Sequence, residues 1–197
     1  AMAGVNAGVV RPQEDPGAEG TFALRLDTPA GRVTAFGRRE GGWVREAWFH
    51  NVPSFVYALD REVEGEGVGR VRYDVAYGGA FYAFCRAEAV GVGLRREDLR
   101  VLIDVGMRIK RAVAASLEIR HPFEEDLGFL YGTIFVGEAS DPAHHSRNVC
   151  VFAEGEVDRS PTGTGLSARA ALHFARRELG VGERFTVESI LGTTFSG

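Results

Sequence analysis

What this chain has little of narrows its chemistry first. Two cysteines in 197 residues, Cys85 and Cys150, each inside an apolar strand-like run, exclude a disulfide framework and point to buried free thiols in a reducing cytoplasm. No apolar run approaches the ~20 residues that cross a bilayer, and the first residues show no basic-then-apolar signal pattern, so no membrane partner is expected. A net charge of −4 is too small to define a partner. The arginine pairs Arg38-Arg39, Arg95-Arg96 and Arg176-Arg177 are separated by acids, with no aromatic-interleaved basic stripe, which argues against nucleic acid. His144 and His145 lie near Asp141, but adjacent histidines in a loop point apart, so no metal is expected. His50, His121 and His173 read as solvent-facing or hydrogen-bonded in place. Gly163-Thr164-Gly165 lacks the lysine and spacing of a P-loop, and no cofactor is expected.

With 45% hydrophobic and 25% charged residues, the chain has the composition of a soluble globular protein with a real core. Residues 1–20, rich in Ala, Gly and Pro, read as a linker or a frayed helix end. Residues 21–53 read as an antiparallel meander: Phe22, Leu24 and Leu26 alternate with polar neighbours, and turns fall at 28–31 and at Gly41-Gly42. From 54 to 197 the pattern changes. Strands are predicted over 55–63 and 70–77, the second with Val71, Tyr73 and Val75 on one face. That strand resumes over 80–86 after Gly78-Gly79, a pair that marks a bulge or a close backbone approach. Leu99, Leu102, Val105, Ile109 and Val113 recur at three- and four-residue spacing, which predicts a helix over about 97–119 packed on a sheet by that stripe. Further strands are predicted over 127–136, 148–157 and 185–195. A second helix over 164–179 is predicted to end at a left-handed cap on Gly180. The fold class is α+β, mostly antiparallel curved sheet with two long helices.

The stretch Asp158-Arg159-Ser160-Pro161-Thr162-Gly163-Thr164-Gly165 joins the 148–157 strand to the second helix. Pro161 fixes one backbone angle, while Gly163 and Gly165 permit close approach, so main-chain N–H groups are displayed at the positive end of a helix dipole. Such a turn attracts a carboxylate or a phosphate. Asp158 disfavours a doubly charged phosphate but can hold an ammonium group, so an amino acid suits the pair best.

The same motif, with Arg147-Asn148-Val149 before it and Ser167-Ala168-Arg169 after it, resembles the second active-site motif of the proline racemase family. Asn51-Val52-Pro53-Ser54-Phe55, the run from Asp74 to Ala83 and Glu188-Ser189-Ile190-Leu191-Gly192-Thr193 match in the family's order. The resemblance implies a diaminopimelate-epimerase-like fold, with sheet wrapped round a long helix. Residues 21–53 would be the tail of the first lobe and 54–197 the second lobe. It implies that Asp158 holds a ring ammonium, that Gly163 and Thr164 give N–H groups to a carboxylate, and that Phe152 packs on a pyrrolidine ring. The bland readings are a turn cap for Asp158, core for Phe152 and structural glycines. Racemases of the family carry Cys where Thr162 stands, and Thr there is similar to the trans-3-hydroxy-L-proline dehydratase branch. The implied activity is dehydration of a hydroxyproline, with proline as the alternative small-molecule substrate; the sequence is compatible with a homodimer and leaves the assembly open. The alternatives are a proline racemase or 4-hydroxyproline 2-epimerase, or a non-catalytic amino-acid-binding module. The last is motivated by the absence of the family's first-lobe Cys-Gly-His-Gly type motif; the chain reads as a central portion of a longer enzyme or the product of a shortened gene.

Overall fold

Alternating apolar residues build two separate sheets. The computed structural model describes residues 2–14 and 20–197, so part of the linker expected over 1–20 lies outside the described residues. The chain divides into two compact units, Ala1–Val52 and Pro53–Gly197. The first carries a short helix α1 (Met2–Asn6) and the sheet β1-β2-β3-β4, formed by β1 (Gln13–Glu14), β2 (Thr21–Thr28), β3 (Gly31–Glu40) and β4 (Trp43–His50). All its pairings are antiparallel. Part of the expected linker therefore belongs to the fold, because Val5 is buried with Phe22, Leu24 and Ala35 and anchors α1 on the sheet.

The second unit is built on one open sheet of β5 (Phe55–Gly65), β6 (Gly69–Tyr77), β7 (Phe81–Arg86), β8 (Leu130–Gly137), β9 (Ser146–Phe152), β11 (Thr186–Glu188) and β12 (Thr194–Ser196), with β10 (Glu156–Val157) beside β9. Its order is β12-β11-β9-β8-β7-β6-β5. Two pairs, β7 with β8 and β9 with β11, are parallel. Parallel neighbours need a crossover, and helices α2 (Leu99–Ser116) and α3 (Gly163–Ala175) supply them.

Strand alternation decides where each helix packs. Phe135 and Val151 face α2, where Gly106 lets them approach: a methyl group on Gly106 would lie 2.8 Å from Val151 and 3.1 Å from Phe135. Ile134 and Cys150 point the other way and are buried with Ala168 and Leu172 of α3. The expected α+β class holds, and the sheet carries one helix on each face.

Five local expectations are corrected. Gly78-Gly79 reverses the chain instead of bulging it, since Tyr77 pairs with Phe81 across an antiparallel hairpin. The close approach is real: a methyl group on Gly78 would lie 2.2 Å from the Thr164 carbonyl oxygen and 2.6 Å from the Ala168 nitrogen. The strand expected over 148–157 is a hairpin, with Val157 paired back on Val151 after Ala153 (φ 46°) and Gly155 (φ 120°) turn the chain. The strand expected over 185–195 is likewise the β11–β12 hairpin, whose turn hangs on Ser189 Oγ accepting from the Leu191 and Thr193 N–H groups at 3.1 and 3.2 Å. Helix α3 stops at Ala175, short of 179, because Arg177 (φ 60°) takes the left-handed position expected of Gly180. Two bonds compensate it, Arg177 N–H to Phe174 O at 3.0 Å and Glu178 N–H to His173 O at 2.9 Å. The first helix is likewise shorter than 97–119; Leu99 is 40% exposed, and Gly106 and Met107 take up the buried stripe instead.

Glu188, 2% exposed, ties β11 to the β8–β9 loop and to β9. It accepts from Ser140 N–H, Asp141 N–H and His144 Nδ1 at 2.9 Å each and from Arg147 at 2.5 Å. Burial opposes its ionisation, but the bonds from His144, the two backbone groups and Arg147 outweigh burial and hold its carboxyl at about 2.

Two outcomes follow. Gly78→Ala should cost about 2 kcal/mol in urea unfolding, because the first turn of α3 must yield to the new methyl; unchanged stability would contradict the packing. A carboxyl held below its ordinary value contributes stability above that value and loses it as pH falls. Glu188→Gln should therefore destabilise the chain by about 3 kcal/mol at neutral pH. The gap from wild type should close as pH is lowered from 4.5 towards 2, read from urea midpoints across that range.

Candidate active site

The β9–β10 hairpin delivers the chain to the 158–165 turn, where the Asp158 N–H still bonds to Cys150 O at 3.0 Å. Short polar side chains then wind the turn tightly. Asp158 Oδ1 accepts from the Ser160 N–H at 2.8 Å, and Ser160 Oγ accepts from the Thr162 N–H at 3.1 Å. The Thr162 hydroxyl donates to Asp158 Oδ2 at 2.9 Å. Thr162 itself sits at φ 65° and ψ 92°, a conformation that a β-branched residue rarely adopts, and is 6% exposed.

That geometry determines what the helix end offers. Thr162 O accepts the first helical bond, from the Leu166 N–H at 2.7 Å, but its side chain, committed to Asp158, does not cap α3. Among the described residues, the N–H groups of Gly163, Thr164 and Gly165 make no hydrogen bond. Three open donors at the positive end of a helix have the chemistry to accept an anion.

The sheet supplies the walls. Tyr82 on β7 shares a 2.7 Å hydrogen bond with Thr164 Oγ1. Tyr131 on β8 stacks on Phe152 at 5.3 Å between centroids and 17° between planes, and meets Tyr82 edge-on at 5.8 Å. Burial, and after it the charge of Asp158, pushes the Cys150 thiol up. Burial likewise pushes the Tyr82 hydroxyl up. At neutral pH thiol and phenol are therefore uncharged beside the Asp158 carboxylate.

Thr162, Asp158, Gly163 and Thr164 thus meet in one turn. Asp158 caps the turn and also binds Thr162, and each of its oxygens keeps a further lone pair. Phe152 stacks on Tyr131 in the aromatic group that Tyr82 links to Thr164, and it also packs against the core. Sequence reasoning missed Tyr82, Tyr131 and Cys150. The signal for Tyr82 was its place on the strand after Gly78-Gly79, the pair already singled out for close approach.

A family model described as proline racemase matches residues 1–197. Over 171 residues the chain is 47% identical to the trans-3-hydroxy-L-proline dehydratase of Colwellia psychrerythraea, covering 87% of this chain and 48% of that protein. It is 43% identical over 180 residues to the trans-3-hydroxy-L-proline dehydratase of Homo sapiens, covering 88% and 50% respectively. A solved hydroxyproline epimerase from Agrobacterium vitis, with bound trans-4-hydroxy-L-proline, matches with a TM-score of 0.88 at 32% identity, covering 99% of this chain and 55% of that one. The chain spans about half the length of the curated relatives it matches. It belongs to the proline racemase family.

Proposed function

We propose that the 158–165 turn is the leaving-group side of a trans-3-hydroxy-L-proline dehydratase, a lyase that makes a cyclic imino acid without a cofactor. The observation that carries this reading is the Thr162 hydroxyl, held by Asp158 at the mouth of three free N–H groups, where the family's racemases keep a thiol. The names of the dehydratases from Colwellia and human support it.

The carboxylate of the substrate would lie on the N–H groups of Gly163 and Thr164, its ring ammonium against Asp158 and its ring on Phe152. The α-proton is taken by a base outside this turn. By resemblance that base is the cysteine of the first-lobe motif, which these residues do not contain; 54–197 would be the second lobe and 21–53 the tail of the first. As the Cα–H pair moves into a Cα–C3 double bond, the C3–O bond breaks and hydroxide leaves, hydrogen-bonded by Thr162; it takes up a proton from solvent, the α-proton staying on the base, so water is released. Thr162 turns its hydrogen bond from Asp158 to that oxygen as the ammonium takes over Asp158. The enamine then tautomerises to pyrroline-2-carboxylate.

Racemisation needs a second acid–base group on the opposite face. An alcohol is far too weak an acid to return a proton to the α-carbon quickly, and the neighbouring Cys150 thiol is buried and pushed up. Elimination therefore outruns reprotonation.

Trans-3-hydroxy-L-proline incubated with the whole enzyme should give an imino acid that borohydride reduces to proline. Accumulation of D-proline from L-proline would contradict the assignment. Thr162→Val should lower kcat for elimination roughly 100-fold with little change in KM, since the hydroxyl acts on the leaving group and not on the carboxylate. Thr162→Cys should raise α-proton exchange in deuterated water at the expense of elimination; an unchanged partition would place this side chain away from the reacting carbons.

A further inference from the structure

Arg169 is 3% exposed, yet among the described residues it meets no carboxylate directly. Its NH1 donates to Ser146 Oγ at 2.7 Å and to Asn148 Oδ1 at 2.8 Å, and its NH2 donates to His173 Nε2 at 3.0 Å. Glu178 reaches it only through His173, whose Nδ1 donates to Glu178 Oε2 at 2.7 Å. Burying a guanidinium among neutral partners is costly. Burial, and after it the charge of Arg86, lowers its pKa to about 10, which still leaves it a cation at neutral pH.

The cation has one geometric consequence that a neutral residue would not produce. A guanidinium has donors only, so it fixes the amide of Asn148 with Oδ1 towards Arg169 and Nδ2 towards the turn. Asn148 is fully buried, and its Nδ2 donates to Pro161 O at 3.3 Å. That carbonyl belongs to the peptide that enters the left-handed Thr162. The other contacts holding Thr162, from Ser160, Asp158 and Leu166, come from the turn and α3 themselves. Asn148 ties the carbonyl of this peptide directly to the rigid strand β9.

We propose that Asn148, oriented by buried Arg169, is a positioning residue that clamps the Pro161–Thr162 peptide and so aims the Thr162 hydroxyl at the reacting carbons. Asn148 touches no substrate and acts through the backbone. The kinetic consequence rests on the dehydratase reading; the geometric one does not.

Asn148→Asp is the discriminating variant, because it keeps the acceptor for Arg169 and replaces the donor to Pro161 O with a second acceptor. In the whole enzyme it should lower kcat for elimination of trans-3-hydroxy-L-proline roughly 100-fold while KM moves by less than about 3-fold. An unchanged kcat overturns the proposal. The second measurement needs no turnover: Thr162→Cys places a thiol at this position, and its alkylation by iodoacetamide is followed against pH by peptide mass spectrometry. Adding either Asn148→Asp or Asn148→Ala should raise the alkylation midpoint by roughly half a pH unit or more, as the thiol leaves the helix N-terminus. An unmoved midpoint in both double variants overturns the clamp whatever the kinetics. Should the wild-type enzyme fail to dehydrate the substrate, the dehydratase reading falls and the alkylation midpoints alone decide the clamp.

Discussion

The left-handed backbone at Thr162 is the constraint on which the site depends. A β-branched residue in that region costs on the order of 1–3 kcal/mol, and it persists only where its surroundings leave no alternative. Here Ser160 holds the amide, Asp158 the hydroxyl, Leu166 the carbonyl and Asn148 the preceding carbonyl. With Thr162 in this conformation, the residue at the N-cap of α3 does not cap it. The three N–H groups that a serine or aspartate would normally help to satisfy stay open. Unpaired donors at a partly buried helix end are unfavourable, and an anion bound there would relieve them.

The sheet makes the strained turn affordable. Ile134 fits against Gly165, where a methyl would lie 2.4 Å from its Cδ1, and the β6–β7 reversal at Gly78 also seats the first turn of α3. Both glycines remove a side chain where backbone must meet its neighbour closely. The α3 N-terminus is thereby carried by β8 and by the β6–β7 hairpin as well as by its own loop, which is the rigidity that placement of a reacting group demands.

Much of this was legible because it is local. The hairpins at 28–31 and Gly41-Gly42, the buried face of Val71, Tyr73 and Val75, the apolar stripe of α2 and the Pro-Gly chemistry of the 158–165 turn all follow from neighbours in sequence. What stayed hidden is non-local or runs against residue preference. Ala153, Thr162 and Arg177 take positive φ although none is glycine, so one hairpin read as a strand and α3 read as longer. The β11–β12 turn depends on the Ser189 side chain. The two parallel pairings, and with them the convergence of Tyr82, Tyr131 and Cys150 on the turn, arise from strands far apart in sequence. The glycine pair at Gly78 was legible as a close approach, but its partner, the start of α3, was not.

The central claim is that the Gly163, Thr164 and Gly165 amides are an open cradle for an imino acid's carboxylate. Titration of isotope-labelled protein with L-proline, which has no hydroxyl to lose, reads it directly through the amide proton shifts of these three residues. The account predicts that they move downfield together and saturably, and that the methyl ester of L-proline leaves them in place. Equal shifts from acid and ester, or shifts confined to other residues, would contradict it.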